Sequence, residues 1–355
     1  MSKLLTPTAV AIGNFDGLHL GHQKVIQPIL DSACHAQLYD ESRQLSSDSA
    51  NVETNFLTSK SKQLYKDNFE DIPNFLPTVL TFNPHPREFF SGKLCESLTP
   101  FPEKVQQLLR FGVKQVLPLT FNRELANLNP QQFVEKILVE QLNARLISVG
   151  QDFCFGSHRS GTAEDLQAIA SDFGICVNLV PPYTYNGERI SSTAIRQALK
   201  QGDIQKVTTM LGRFYTLTGL VVEGQEIDRA ISYPTANLQL PLNKLLPPYG
   251  IYAVKVLIEN DCEQEWKFHQ MKNFAHPSEL SVAYEGIMEV SSSSRLSSNY
   301  QFVKVHLLDW SGNLYGKTLT LHIENLLLPE QKLSSLKDFK CQISAEYDQA
   351  MSVLI

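Results

Sequence analysis

Between Thr8 and Val180 short apolar runs alternate with stretches of helical periodicity, and this alternation leaves few folds open. Thr8–Ile12, Thr78–Phe82, Val116–Leu119, Leu146–Val149 and Cys176–Val180 read as strands. Gln23–Cys34, Pro102–Phe111, Pro130–Leu142 and Ala163–Phe173 read as helices between them. Strands spaced by helices predict an α/β domain with a doubly wound parallel sheet, whose ligands bind at the carboxyl ends of the strands. Ser191–Lys200 reads as one more helix, and after Gly202 the character changes. Tyr215–Val222, Tyr252–Ile258, Phe302–Leu308 and Thr318–Ile323 are extended runs, with turn signals such as Ser311-Gly312-Asn313 between them. They predict a small antiparallel β-barrel, closed by a terminal helix over Leu336–Val353.

A chain of 355 residues suits two domains, here expected at 1–203 and 204–355. A polar stretch near 40–74 interrupts the first and reads as an insertion, either a solvated loop or a lid. Lys plus Arg is 31 against 37 for Asp plus Glu, a formal charge of −6. Such a chain has no global basic field, so neither nucleic acid nor a membrane is expected as a partner. Any phosphate must be gripped locally. The six cysteines, at 34, 95, 154, 176, 262 and 341, form no CxxC motif and suggest no disulfide framework. The apolar run Ala9–Phe15 is too short to span a bilayer and lacks the flanks of a signal peptide, so a cytoplasmic location is expected.

The segment Gly13-Asn14-Phe15-Asp16-Gly17-Leu18-His19-Leu20-Gly21-His22 follows a strand and opens a helix. Glycines at 13, 17 and 21 allow tight turns and close backbone approach, and a helix N-terminus offers free N–H groups to an anion. The segment is neither a P-loop nor a GxGxxG fingerprint. His19 and His22, at i and i+3, point to phosphate chemistry, to part of a zinc site, or to a structural role. Further along, Ser191, Ser192 and Thr193 can cap a helix or bind phosphate, and Arg196 adds a forked cation. Asp152, at a strand end, reads as a turn residue, a flavin or nucleotide contact, or a Mg²⁺ ligand, and Phe153 and Phe155 as core or as a ring pocket.

HxGH after an apolar strand resembles the nucleotidyltransferase signature, and the longer GNFDGLHLGH resembles the FMN adenylyltransferase module of bacterial FAD synthetases. Three more segments match that family in order: Thr81-Phe82-Asn83-Pro84-His85-Pro86, Gly150-Gln151-Asp152-Phe153-Cys154-Phe155-Gly156, and Gly187-Glu188-Arg189-Ile190-Ser191-Ser192-Thr193-Ala194-Ile195-Arg196. The resemblance implies direct transfer of AMP from ATP to FMN, giving FAD and pyrophosphate, with Mg²⁺ bridging phosphate oxygens. It implies catalytic roles for His19, His22 and Arg196. Gly13, Phe15, Asp16, Gly17, Gly21, Ser191, Ser192 and Thr193 would bind ATP. Asn83, His85, Pro86, Asp152, Phe153 and Phe155 would bind flavin.

In the second half, Tyr233-Pro234-Thr235-Ala236-Asn237 resembles riboflavin kinase, in which the Thr and Asn of PTAN help bind ATP and Mg²⁺; as residues alone the tetrad also reads as a turn. Asp228-Arg229 and Ser232-Tyr233 stand where that family has Gly-Arg and Gly-Phe, Ala283-Tyr284-Glu285-Gly286 replaces its Ala-Asn-Ile-Gly, and Leu328-Pro329-Glu330 its Arg-Pro-Glu. Lys304 stands where the family has a glutamate as general base. A protonated ammonium has no acceptor, and its reference pKa is about 10.4. These departures predict a riboflavin-kinase-like barrel with lost or weak activity, with Glu285 as a conceivable substitute base. The alternatives are a bifunctional enzyme that converts riboflavin to FMN and then FAD, and a non-catalytic flavin- or nucleotide-binding protein. The intact HxGH and ISSTxIR motifs weigh against the last. Oligomeric state and metal preference are left open.

Overall fold

The computed structural model describes residues 6–45, 75–222, 235–258, 283–291, 300–308 and 310–329. The stretch 46–74, the departures at Asp228-Arg229 and Ser232-Tyr233, and the expected helix Leu336–Val353 lie outside the described residues. The chain forms two compact units, Met1–Lys93 with Lys104–Gly187, and Leu94–Glu103 with Glu188–Ile355.

The first unit is built on a five-stranded sheet, β1 (Thr8–Ile12), β2 (Leu76–Phe82), β3 (Gln115–Leu119), β4 (Ala144–Gly150) and β5 (Cys176–Val180), in the order β3-β2-β1-β4-β5. Every pairing is parallel. Strand β1 is buried throughout, as a central strand covered on both faces must be. Val10, Ile12, Leu80, Ile147 and Val149 pack with Phe133, Leu138, Phe155 and Leu166 into the core. The strand order reverses between β1 and β4, which opens a crevice at their carboxyl ends.

Helices occupy the expected places with shifted ends. The first runs Leu20–Leu45, beginning three residues early because His19 caps it and extending into the polar stretch. Over 130–142 the single expected helix is a turn of α-helix, Pro130–Phe133, followed by a π-helix, Val134–Gln141. Its residues Phe133, Val134, Ile137, Leu138 and Leu142 form the buried face. Short strands β6 (Thr184–Tyr185) and β7 (Glu188–Arg189) follow β5.

The second unit holds the helices Ser192–Lys200 and Ile204–Leu211 and a closed barrel. Its strands are β8 (Tyr215–Val222), β9 (Thr235–Pro241), β10 (Gly250–Ile258), β11 (Ala283–Val290), β12 (Tyr300–Leu307) and β13 (Thr318–Pro329). They close in the order β10-β11-β12-β9-β8-β13. Thr235, Ala236 and Asn237 lie in β9, which rules out the turn reading for those three residues. Strand β12 alternates in burial, Gln301, Val303, Val305 and Leu307 inward and Phe302, Lys304 and His306 outward. A Cβ at Gly219 would stand 2.2 Å from the Gln239 carbonyl oxygen, so only glycine fits where β8 and β9 come so close.

A buried cation pins the segment Leu94–Glu103 to this unit. Lys244 is 1% exposed, and its ammonium donates to the Leu98 carbonyl (2.8 Å) and to the Glu103 carboxylate, over the Tyr215 ring. Leu245 N–H donates to Ser97 O (2.9 Å), and Ser97 N–H to Asn243 O (2.6 Å). No helix among the described residues is long and apolar enough to cross a membrane.

Candidate active site

The loop after β1 carries the first cluster. Gly13 N–H donates to Leu80 O (3.1 Å) and Thr81 Oγ1 to Asn14 O (3.3 Å), which ties the loop to β2. Phe15, Gly17 and Leu18 all have positive φ, 48°, 87° and 42°. For Phe15 and Leu18 that conformation is strained by about 1 kcal/mol or more each. Their side chains are buried, and this packing holds the loop in place.

His19 ends the loop and caps the following helix: its Nδ1 accepts the His22 backbone N–H at 3.2 Å. A neutral His19 with Nδ1 occupied as acceptor carries its proton on Nε2. A Cβ at Gly21 would meet the His19 ring at 3.1 Å, so glycine makes room for the imidazole. The two imidazoles are stacked with centroids 3.6 Å apart, and Phe15 meets His22 edge-on at 5.3 Å. His22 Nδ1 and Asn14 Oδ1 are buried without a hydrogen-bond partner among the described residues. Burial, then His19, then Lys104 hold the His22 imidazole well below the usual histidine range, so it is neutral at neutral pH.

The loop after β2 is built alike. Asn83 N–H donates to Leu119 O (3.1 Å), and His85 caps the helix Pro86–Ser91 with Pro86 at its first position. His85 Nδ1 accepts the Arg87 N–H (3.1 Å), and Glu88 accepts the His85 N–H (3.2 Å). Burial and Lys104 lower the His85 imidazole against the opposing pull of Asp16. The fold thus brings Asp16, His22 and His85 each within electrostatic reach of Lys104, which sequence reasoning missed. Lys104 sits four residues before buried Leu108, and that spacing was the available signal of an inward face.

A second missed feature is aromatic. Phe89 and Phe90 follow His85, and both rings lie edge-on to Phe121 at 5.4 and 5.7 Å. Phe90 is 72% exposed, so the cluster offers a ring surface to a flat ligand. Phe155, by contrast, belongs to the core against Phe133, and Phe153 stacks on it half-buried. Asp152 is exposed in the turn after β4, at the crevice between β1 and β4.

Ser191, Ser192, Thr193 and Arg196 belong to the second unit. Ser191 Oγ accepts the Ala194 N–H (3.2 Å) as a helix cap, Thr193 is exposed and Arg196 half-buried. On the barrel, Asn237, Lys304 and Glu289 are successive cross-strand partners on β9, β12 and β11. Thr235 pairs with His306 one step along the same face in the backbone register. Glu285, four residues before Glu289, has a buried Oε2 without a hydrogen-bond partner among the described residues. No group of three or more His, Cys, Asp or Glu able to hold a metal occurs among the described residues.

Residues 1–40 and 68–194 match a family model described as FAD synthetase, and residues 211–354 match one described as riboflavin kinase. The bifunctional riboflavin kinase/FMN adenylyltransferase of Haemophilus influenzae is 30% identical over 350 residues, 98% of this chain and 95% of that one. The protein of the same description from Escherichia coli K12 is 30% identical over 339 residues, 95% of this chain and 90% of that one. A crystal structure described as a macrolide-efflux protein from Streptococcus pneumoniae aligns with TM-score 0.71 and 25% identity, covering 98% of this chain and 94% of that one.

Proposed function

This chain belongs to the family of bifunctional riboflavin kinase/FMN adenylyltransferases, and from that premise we propose that it performs both steps, riboflavin to FMN and FMN to FAD. Adenylyl transfer is assigned to residues 1–203 and the kinase step to 204–355. The expectation of a lost kinase rested on Lys304 and its neighbours, while relatives matched over nearly the whole chain are described as bifunctional, which favours a working barrel.

One observation carries the adenylyl-transfer mechanism: a stacked pair of histidines stands at the carboxyl end of β1, beside the crevice where the strand order reverses. An oxygen of the FMN phosphate attacks the α-phosphorus of ATP in line, and the bond to the departing pyrophosphate breaks. His19 donates from Nε2, the nitrogen left protonated by its capping role, to an oxygen on which charge builds. His22, held neutral by its burial, stands beside it as a second donor. Arg196 and the hydroxyls of Ser192 and Thr193 are assigned to the departing phosphates. The exposed Asp152 carboxylate would hold a Mg²⁺ ion carried by ATP, which would supply neutralisation of phosphate charge. Flavin binding is assigned to Asn83, His85 and Pro86 and to the aromatic surface of Phe89, Phe90 and Phe121.

For the kinase step, Thr235 and Asn237 are assigned to ATP and Mg²⁺. The proton of the riboflavin 5′-hydroxyl needs an acceptor that Lys304 does not supply. Glu289 is directly opposite Lys304 and Glu285 lies further along the same strand, so the base is assigned to this carboxylate pair. The test is to incubate the full chain with Mg-ATP plus either FMN or riboflavin and resolve the flavins. FAD from the first tube and FMN, then FAD, from the second are expected. Riboflavin left untouched while FMN becomes FAD would restore the lost-kinase reading, and binding without product in either tube would favour a non-catalytic protein. Replacing both Glu285 and Glu289 by Gln should abolish riboflavin phosphorylation and leave FAD formation from FMN intact.

A further inference from the structure

A site that makes FAD has to hold two flat rings apart. The isoalloxazine enters with FMN and the adenine with ATP, and the two substrates meet only through their phosphates. The aromatic surface assigned to the flavin, Phe89, Phe90 and Phe121, lies in the segments after β2 and β3, at one end of the strand order β3-β2-β1-β4-β5. The stacked histidines follow β1, in the middle of that order. A platform for the second ring is therefore expected on the other side, after β4 or β5.

Tyr183 stands there. It follows the end of β5 by three residues, behind Pro181-Pro182, whose rings fix φ at two successive positions and make a stiff arm. A Cβ at Gly21 would lie 3.7 Å from the Tyr183 Cβ and 3.1 Å from the His19 ring, so the tyrosine and the capping histidine flank the same point at the start of the helix Leu20–Leu45. Lys24, one turn further along that helix, holds its ammonium 5.8 Å from the Tyr183 ring centroid, a cation–π contact that restrains the ring. Beside Gly21, His22 Nδ1 is buried without a hydrogen-bond partner among the described residues, a polar atom left to a ligand at the same helix start. Tyr215 and Tyr252, which serve the core, are buried and donate their hydroxyls to carbonyls. Tyr183 is instead 37% exposed, so its ring is held in place and still has surface to offer a flat ligand.

We propose that Tyr183 is the platform on which the adenine of ATP stacks at the adenylyl-transfer site. The proposal rests on the assignment of FMN adenylylation to this site. It makes Tyr183 a substrate-binding residue that favours a nucleoside triphosphate over bare polyphosphate. A tyrosine ring stacks on any base, because every base has a π face, so this contact supplies affinity and leaves the choice among bases to hydrogen bonds.

The test uses the full chain, wild type and the variants Tyr183→Ala, Tyr183→Phe and Tyr183→Leu, with FAD formation followed at varied ATP and at varied FMN. Inorganic tripolyphosphate, which has the phosphates without the base, serves as competitor against ATP. Tyr183→Ala should raise the KM for ATP about tenfold, the size of one base-stacking contact, while the KM for FMN and the inhibition by tripolyphosphate move by less than about twofold. Tyr183→Phe keeps the ring and should stay within about twofold of wild type for all three. An unchanged KM for ATP in Tyr183→Ala overturns the proposal. So does an equal rise for ATP, FMN and tripolyphosphate, which marks a structural role, or a rise for FMN alone, which assigns the ring to the flavin. A Tyr183→Phe variant as impaired as Tyr183→Ala also overturns it, since the contact would then belong to the hydroxyl. Should Tyr183→Ala fail to fold, Tyr183→Leu, of similar bulk without a π face, carries the test: a raised KM for ATP against an unchanged KM for FMN supports the proposal, and equal values refute it. A wild-type chain that forms no FAD refutes the underlying assignment, whereas an active wild type with ATP affinity indifferent to Tyr183 refutes the tyrosine alone.

Discussion

The imidazole of His19 lies stacked on that of His22, centroids 3.6 Å apart and planes within 17° of parallel, while its Nδ1 accepts the backbone N–H of the same residue. One histidine thus caps the helix and has its tautomer set by the cap, with the proton on Nε2. Asparagine is a good cap without an imidazole. His19→Asn should therefore leave the urea midpoint close to wild type and lower kcat for FAD formation by about 100-fold, as for loss of a donor to developing charge. A variant that loses stability and activity together would make His19 structural.

His22→Ala should lower turnover far more than it weakens FMN binding. The expected loss in kcat is about 100-fold or more, with FMN affinity within a few-fold of wild type. Steady-state kinetics beside direct FMN titration separates the two, and equal turnover would remove His22 from the mechanism.

The pH dependence of stability has a definite sign at this position. In the unfolded chain His22 titrates near the usual 6.5, whereas in the fold burial, His19 and Lys104 keep it neutral to much lower pH. The unfolded state therefore takes up the proton first as pH falls through 6.5, and stability present above that value is lost below it. This group alone contributes a slope approaching about 1.4 kcal/mol per pH unit. Urea unfolding at about pH 7.5 and about pH 5 should show a larger acid loss in wild type than in His22→Gln, and identical losses would contradict the depressed value.

The buried pair Lys244–Glu103 should behave asymmetrically. Lys244→Met leaves the Glu103 carboxylate buried without its cation, at a cost of about 3–5 kcal/mol, while the double variant with Glu103→Leu removes both charges and should regain most of that. Denaturant melts of the two variants measure this. A double variant as unstable as the single one would mean that packing around the aliphatic stem, and not the stranded charge, dominates.

Phe90 is mostly exposed, so Phe90→Ala should shift stability by no more than about 0.5 kcal/mol. If the aromatic surface takes the isoalloxazine, the KM for FMN should rise about tenfold, of the order of one base-sized stacking contact, with the KM for ATP unchanged. Equal KM values for FMN in the two proteins would place the flavin ring elsewhere.

The parallel sheet and most of its strand and helix positions were legible because they rest on local chemistry. Apolar runs bounded by glycine and proline read as buried strands, and Ser191 announces a helix start by capping. The His19-x-x-His22 pair was legible for the same reason, since a helix start converts a spacing of three into a shared face. Phe155 stayed open in the sequence because an aromatic residue after a strand suits a pocket wall or a core equally well, and the fold packs it against Phe133.

The chain's own residue order was thus enough to establish an adenylyl-transfer motif on an α/β unit followed by a barrel of the kinase type, because each of those signals lies within one turn, strand or cap. Tertiary structure alone decided the rest. It drew Glu103 to Lys244 across 141 positions, set Asn237, Lys304 and Glu289 in one row across three strands, and buried Lys104. Burial and strand register depend on what packs from elsewhere in the chain, and local sequence carries no record of that partner.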